Sequence, residues 1–235
     1  LFFIFESLKV NPDYLMHLAV GTSFSIIIPT SLVSVFTHKK HESVDINIIK
    51  SYGFFVIVGV SSGTLFAALL KTKALLIFFT IVVYFLGAYL LNFKEKTENL
   101  KTNFNLAPRI IFGFISGFIS APMGIGGAVM NVPILRYFGY PINKAIGSAA
   151  AIGFIIALFG AIGFLITGSF MNVNLPLSIG FINIPAFLIF IPITMFMARV
   201  GANTSNMIDK SKLQRIFGIF LYVIGTLFLY RYLNI

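Results

Sequence analysis

The sequence predicts an all-α, polytopic membrane helix bundle. Hydrophobic residues make up 58% of the 235 residues and charged residues only 10%, whereas a soluble domain carries about 25% charged residues. Mean hydropathy is +0.96. The apolar residues come in runs long enough to cross ~30 Å of hydrocarbon, not in the ~10-residue alternating segments of a membrane barrel. About seven such runs are present.

Leu1 to Phe5 is a short apolar tail, and Asn11-Pro12-Asp13 is a helix-start signal. The first full span is predicted from Leu15 to Phe36 and contains Gly21-Thr22-Ser23 and Pro29. A polar loop from Thr37 to Asp45 follows. The second span covers Tyr52 to Leu70, where Gly59 and Gly63 form a G-x-x-x-G pair that lets another helix approach closely. Lys71-Thr72-Lys73 is a short turn, and the third span runs from Ala74 to Phe93.

Lys94 to Asn105 is the most polar stretch, so 94–107 reads as a linker between a unit at 1–93 and a unit at 108–235. The fourth segment, Pro108 to Tyr137, carries its own G-x-x-x-G at Gly113 and Gly117. It then meets Pro122, Gly124, Gly126, Gly127 and Pro133. A plain spanning helix has no use for so many breakers, because unpaired backbone in lipid costs several kcal/mol per group. Ser120 to Pro133 is therefore expected to be a broken helix at a transport site. A fifth span runs from Ala145 to Thr167, followed by an uncharged loop from Gly168 to Ser178. A sixth runs from Ile179 to Ala198, with Pro185 and Pro192 as kink sites, and a seventh from Leu213 to Tyr230.

Internal similarity points to duplication. Ala19-Val20-Gly21-Thr22-Ser23 matches Ala145-Ile146-Gly147-Ser148-Ala149, while Gly63 matches Gly201 and Gly87 matches Gly225. The expectation is two four-helix repeats, with the first helix of repeat one missing from this chain. Leu1 falls just after the position equivalent to Pro133, and no signal peptide is visible. Lys and Arg counted on alternate sides of the predicted spans give nearly equal totals, so charge does not fix topology. A four-helix repeat implies halves of the same orientation; re-entrant hairpins in place of the broken segments would invert them.

The net charge of +10 sits in loops and at helix ends. It is read as contact with anionic membrane lipid and not as a nucleic-acid surface. There is no cysteine, which excludes disulfides and thiolate chemistry. Gly124-Ile125-Gly126-Gly127 fails the dinucleotide spacing at Val129, and no P-loop lysine motif or metal-ligand cluster occurs, so no cofactor is expected. All seven acidic residues fall in loops or at span ends, which argues against a cation pump built on intramembrane carboxylates. His17 reads as an interfacial histidine near a helix start, Lys144 and Arg136 as headgroup contacts, and Arg199 as a snorkelling cation.

A small anion inside a membrane is best held by a helix N-terminus, which offers free N–H groups and about half a positive charge. Glycines let the backbone come close to it. Gly124, Gly126 and Gly127 are the candidate cradle, with Asn131 as an amide donor one turn later and Thr22, Ser23 and Ser148 as hydroxyl donors. Each has a plainer reading: packing for the glycines, an interhelical hydrogen bond for Asn131, and bonding back to the preceding turn for the hydroxyls.

The run Gly117 to Gly127, then Val132-Pro133, then Asn143-Lys144-Ala145-Ile146-Gly147-Ser148, resembles the TauE/SafE family of membrane anion transporters, as does Ala19 to Ser23 in the first unit. Ala128 stands where that pattern has a third glycine. The resemblance covers essentially the whole chain. It implies a permease, not an enzyme, moving sulfite or an organosulfonate across a bacterial inner membrane by alternating access. The alternative is a non-transporting membrane scaffold that uses its glycines for packing only; an unbroken helix through Gly124–Gly127 with no polar cavity would favour it. No nucleophile–base pair supports a membrane enzyme.

Overall fold

The computed structural model describes residues 1–92, 105–171, 173, 175–204 and 210–234. Its helices are α1 (Phe2–Ser7), α2 (Leu15–Lys40), α3 (Ile46–Leu69), α4 (Thr72–Asn92), α5 (Leu106–Met123), α6 (Ala128–Tyr137), α7 (Ile142–Phe170), α8 (Ile184–Thr204) and α9 (Lys210–Leu233). Seven of them are long and apolar enough to cross a membrane. The expected linker lies mostly outside the described residues; α5 begins at Leu106, two residues before the predicted boundary. The uncharged loop is shorter than expected, because α7 runs to Phe170. The sixth span starts late: strands β1 (Ser178–Ile179) and β2 (Ile182–Asn183) pair antiparallel just before α8. Pro185 thus sits in the first turn of α8, where its missing N–H removes no helical bond. Asn11 caps a 3-10 turn at Pro12–Tyr14 by accepting the Asp13 N–H at 3.0 Å, as its helix-start signal implied.

The contacts orient the bundle. On α2 and α7, Gly21 lies against Phe164 and Phe24 against Gly160, so these helices are antiparallel. On α3 and α5, Gly59 lies against Phe114 and Gly63 against Phe118, so these are parallel. On α4 and α9, Gly87 meets Tyr222 and Leu91 meets Gly218, again antiparallel. Starts of α2, α4 and α8 share what we call the upper face with the ends of α3, α7 and α9. The opposite, lower face holds the starts of α3, α5, α7 and α9.

The fourth segment does not cross this frame. Phe112 of α5 packs on Phe138, Ser116 bonds Asn131, and Ser120 approaches Gly127, which is an antiparallel register. Helix α6 therefore returns to the lower face. Burial first, and Asp45 after it, raise the Tyr140 hydroxyl pKa while Arg109 opposes them, placing the chain after α6 beside the starts of α3 and α5. The expectation of a broken span is corrected to a re-entrant hairpin. The physical cause is the tip: residues 124–127 reverse the chain near the middle of α7, where Gly126 O packs on Gly153 and Gly127 on Ile156.

That correction changes the charge count. Lys39, Lys40, Lys50, Arg109, Arg136, Lys144, Arg199, Lys212 and Arg215 lie toward the lower ends of their helices or in lower-face turns. Lys9, Lys71, Lys73 and Arg231 lie at the upper face. The near-equal totals arose from counting the hairpin as a crossing.

Both G-x-x-x-G pairs serve the α3–α5 contact. A Cβ on Gly59 would overlap the Phe114 carbonyl, and one on Gly117 would overlap the Val56 carbonyl. Gly63 has a further use. Pro122 has no N–H to give the carbonyl four residues back, leaving Phe118 O without its helical donor. The Cβ position of Gly63 lies 2.5 Å from that oxygen, so a Gly63 Cα–H meets it, a weak bond that helps replace the lost one.

Candidate functional site: the glycine turn between α5 and α6

The hairpin tip is built by glycine conformation. Gly124 ends α5 at φ +64°, its N–H bonded to Ser120 O at 3.1 Å, a left-handed cap that a Cβ would strain. Gly127 precedes α6 at φ +69° and closes a tight turn by donating to Ile125 O at 2.7 Å. Side chains at either position would also meet neighbours: Val20 at Gly124, Ile156 and Asn131 at Gly127. Gly126 is different. Its φ is not in the left-handed region, and a Cβ there would meet only the Ile27 side chain, at 3.2 Å.

Helix α6 presents its N-terminus to this turn. The amides of Ile125, Gly126, Ala128 and Val129 find no acceptor among the described residues. Ile125, Gly126 and Val129 are half-buried and Ala128 is exposed. Free N–H groups at a helix start are the anion-binding arrangement the sequence suggested. The helix is broken at Gly124–Gly127, so the unbroken helix that the scaffold reading requires is not found.

Asn131 sits one turn into α6 and is fully buried. Its Nδ2 donates to Gly127 O at 2.8 Å. Its Oδ1 accepts from Tyr52 Oη at 2.8 Å and from Ser116 Oγ at 2.9 Å. One amide thus joins α3, α5 and α6 and holds the turn from below, which is the interhelical reading of this residue. Tyr52 and Ser116 were missed as site-shaping residues. Their signal was present: Ser116 and Ser120 lie on the same face of α5 as Gly113 and Gly117, turned toward the interior.

Thr22 and Ser148 are fully buried and engaged elsewhere. Thr22 Oγ1 accepts the N–H of Asn183 at 2.9 Å, at the start of α8. Ser148 Oγ accepts the N–H of Asp45 at 3.0 Å, at the start of α3. The two hydroxyls therefore work at opposite faces. Ser23, half-buried, is the neighbour of Thr22. The structure brings Gly124, Gly126, Gly127 and Asn131 together and gives Thr22 and Ser148 to other helix starts. His17, near the start of α2, is 1% exposed, stacked on Phe181 at 5.0 Å, with Nε2 3.1 Å from Ala67 O; it packs inside the bundle close to the upper face. Arg136 donates to Tyr140 O at 3.2 Å and closes the turn after α6.

Comparison with known proteins identifies the family. The model of the family "Sulfite exporter TauE/SafE" matches residues 1–228. A probable membrane transporter protein of Haemophilus influenzae is 28% identical over 226 residues, covering 96% of this chain and 85% of that protein. One from Methanocaldococcus jannaschii is 26% identical over 238 residues, covering 97% and 84%. Bacillus subtilis YdhB, with the same description, is 26% identical over 222 residues, covering 92% and 85%. No solved structure matches. With a family match over nearly its whole length and seven helices fit to span a membrane, the chain belongs to the sulfite exporter TauE/SafE family of integral membrane transporters.

Proposed function

We propose that the protein is a secondary transporter for a small anion of the sulfite or organosulfonate class, with the anion held at the N-terminus of α6. The observation that carries this is the glycine turn: a helix start near the middle of the bundle whose first amides have no acceptor among the described residues. A divalent oxyanion there gains from oriented N–H groups and the helix dipole without a buried counter-charge. Gly126 and Gly127 keep the backbone approachable. Asn131 positions the turn and does not supply the main ligand.

Two further features support alternating access of two inverted halves. Gly21 packs on the Phe181 carbonyl while Thr22 caps the next helix start; Gly147 packs on the Ser43 carbonyl while Ser148 does the same. These matching contacts stand at opposite faces, as halves related by an axis in the membrane plane require. The expected units at 1–93 and 108–235 are then inverted repeats. The excess of Lys and Arg makes the lower face cytoplasmic under the positive-inside rule, in a bacterial inner membrane.

Two experiments test this reading. Proteoliposomes loaded with sulfite should release it down its gradient, faster than vesicles without protein; absence of flux for sulfite, sulfonates and thiosulfate would remove the substrate class. The chain has no cysteine, so single cysteines at Lys40 and Lys71 report topology with an impermeant thiol reagent. In intact cells Lys71→Cys should be labelled and Lys40→Cys protected; the reverse would overturn the orientation.

A further inference from the structure

At the upper face, α1, the 3-10 turn, the start of α4 and the end of α9 surround a pocket of about 600 Å³. Its charged lining is Glu6, Lys9, Asp13, Lys71, Lys73 and Arg231. Glu6 and Arg231 neutralise one another, with Arg231 Nε donating to Glu6 Oε1 at 2.6 Å. Three lysines then face a single carboxylate, Asp13.

Two of those lysines are fixed in place by the chain. Lys71 and Lys73 straddle Thr72, which is buried. The Thr72 hydroxyl donates to Asp13 O at 2.8 Å and accepts the Met16 N–H at 3.4 Å. That pins the start of α4 to the start of α2 and sets both lysines on the pocket. Lys73 Nζ lies 5.3 Å from the centre of the Tyr232 ring, a cation–π contact that restrains it further. The pocket floor is apolar, with Phe2 and Leu15 each 4% exposed. At the same face, large apolar and aromatic side chains are exposed, including Leu69, Tyr230 and Leu233.

We propose that this pocket holds the phosphate of an anionic phospholipid headgroup. The net positive charge lies where α2 and α4 begin and α9 ends, the depth of a headgroup layer. Lysine ammonium groups take phosphate oxygens as point charges. The exposed apolar side of α9 then gives its acyl chains a path into the bilayer. A free phosphate ion would use the same lysines but would gain nothing from that path, and the bilayer supplies the lipid at high local concentration. This inference rests on the membrane placement of the chain and not on the transported anion.

The test uses the full chain, purified and delipidated, then placed in nanodiscs of phosphatidylcholine with or without phosphatidylglycerol. Thermal stability and phosphatidylglycerol retained in native mass spectrometry are read together. The wild type should retain phosphatidylglycerol and be stabilised by it. Lys71→Gln/Lys73→Gln should bind it roughly 30-fold more weakly, given the usual attraction per lysine near an anionic surface. Lys71→Arg/Lys73→Arg should keep most of the binding, which separates lost charge from lost fold. Lys39→Gln/Lys40→Gln, which removes the same charge at the lower face, should leave retention unchanged. Equal retention in the upper-face glutamine variant, or an equal loss in the lower-face one, would overturn the site. Stabilisation by inorganic phosphate alone, with no preference for phosphatidylglycerol, would overturn the lipid as its occupant.

Discussion

Replacing Asn131 with leucine separates a residue that builds the turn from one that binds the anion. The side chain is fully buried and makes hydrogen bonds to Gly127, Tyr52 and Ser116. Leucine has the same branched shape, with bulkier methyl groups, and offers no polar atom. Tyr52 keeps an alternative acceptor in Phe112 O at 3.1 Å. Gly127 O keeps the Asn131 backbone N–H at 2.9 Å. Ser116 loses Asn131 but keeps the Tyr52 hydroxyl as a hydrogen-bond partner. Two interhelical bonds are lost, at ~0.6 kcal/mol each in a membrane, and the bulkier leucine methyl groups add about 1–3 kcal/mol of overpacking. The sum is about 2–4 kcal/mol, or roughly 5–15 °C in Tm for a chain of this length. Thermal unfolding in detergent or nanodiscs, without any anion, reads it directly. Tyr52→Phe should cost less alone and less again in the leucine background, where its bond to Asn131 is already gone, giving a coupling of about 0.5–1.5 kcal/mol in the double-mutant cycle. A leucine variant as stable as the wild type, or strictly additive costs, would refute the account of Asn131 as the staple of the hairpin. If the stable variant had also lost sulfite binding, Asn131 would be a direct ligand after all.

Other substitutions follow from the same geometry. Gly153→Ala places a methyl group against the Gly126 carbonyl and should cost about 1–3 kcal/mol and slow transport. Thermal melts and sulfite flux check both effects. Thr22→Val and Ser148→Ala each strand a backbone N–H, of Asn183 and Asp45 respectively, so each should lose about 1–3 kcal/mol in unfolding assays. Unchanged stability in both would mean that water readily replaces the two hydroxyls.

The apolar runs, the packing role of the G-x-x-x-G pairs and the break at Gly124–Gly127 were all legible from residue type and spacing. Those features are local, and lipid leaves the backbone few choices. The direction of α6 was not legible, because hydropathy measures how apolar a segment is and not whether it crosses. One hairpin read as a crossing reversed every later helix and cancelled a real charge bias. The partners of Thr22, Ser148 and Asn131 were also hidden. Each bonds a group at least one helix away: Thr22 reaches the start of α8, Ser148 the start of α3, and Asn131 both α3 and α5. A hydroxyl or amide in sequence looks the same whether it faces a ligand or another helix.

The central claim is that an anion sits at the start of α6. The most direct measurement is sulfite binding to the purified full-length protein, read as thermal stabilisation, for wild type and Gly126→Leu. Leucine at 126 needs no left-handed backbone, and its Cβ would meet only the Ile27 side chain, so the variant should fold, as its Tm without sulfite will show, while covering the free amides. The account predicts that sulfite raises the wild-type Tm in a concentration-dependent way, as a ligand of the folded state must, and that the folded leucine variant shows no rise. Equal stabilisation of both proteins would place the anion elsewhere and contradict the claim.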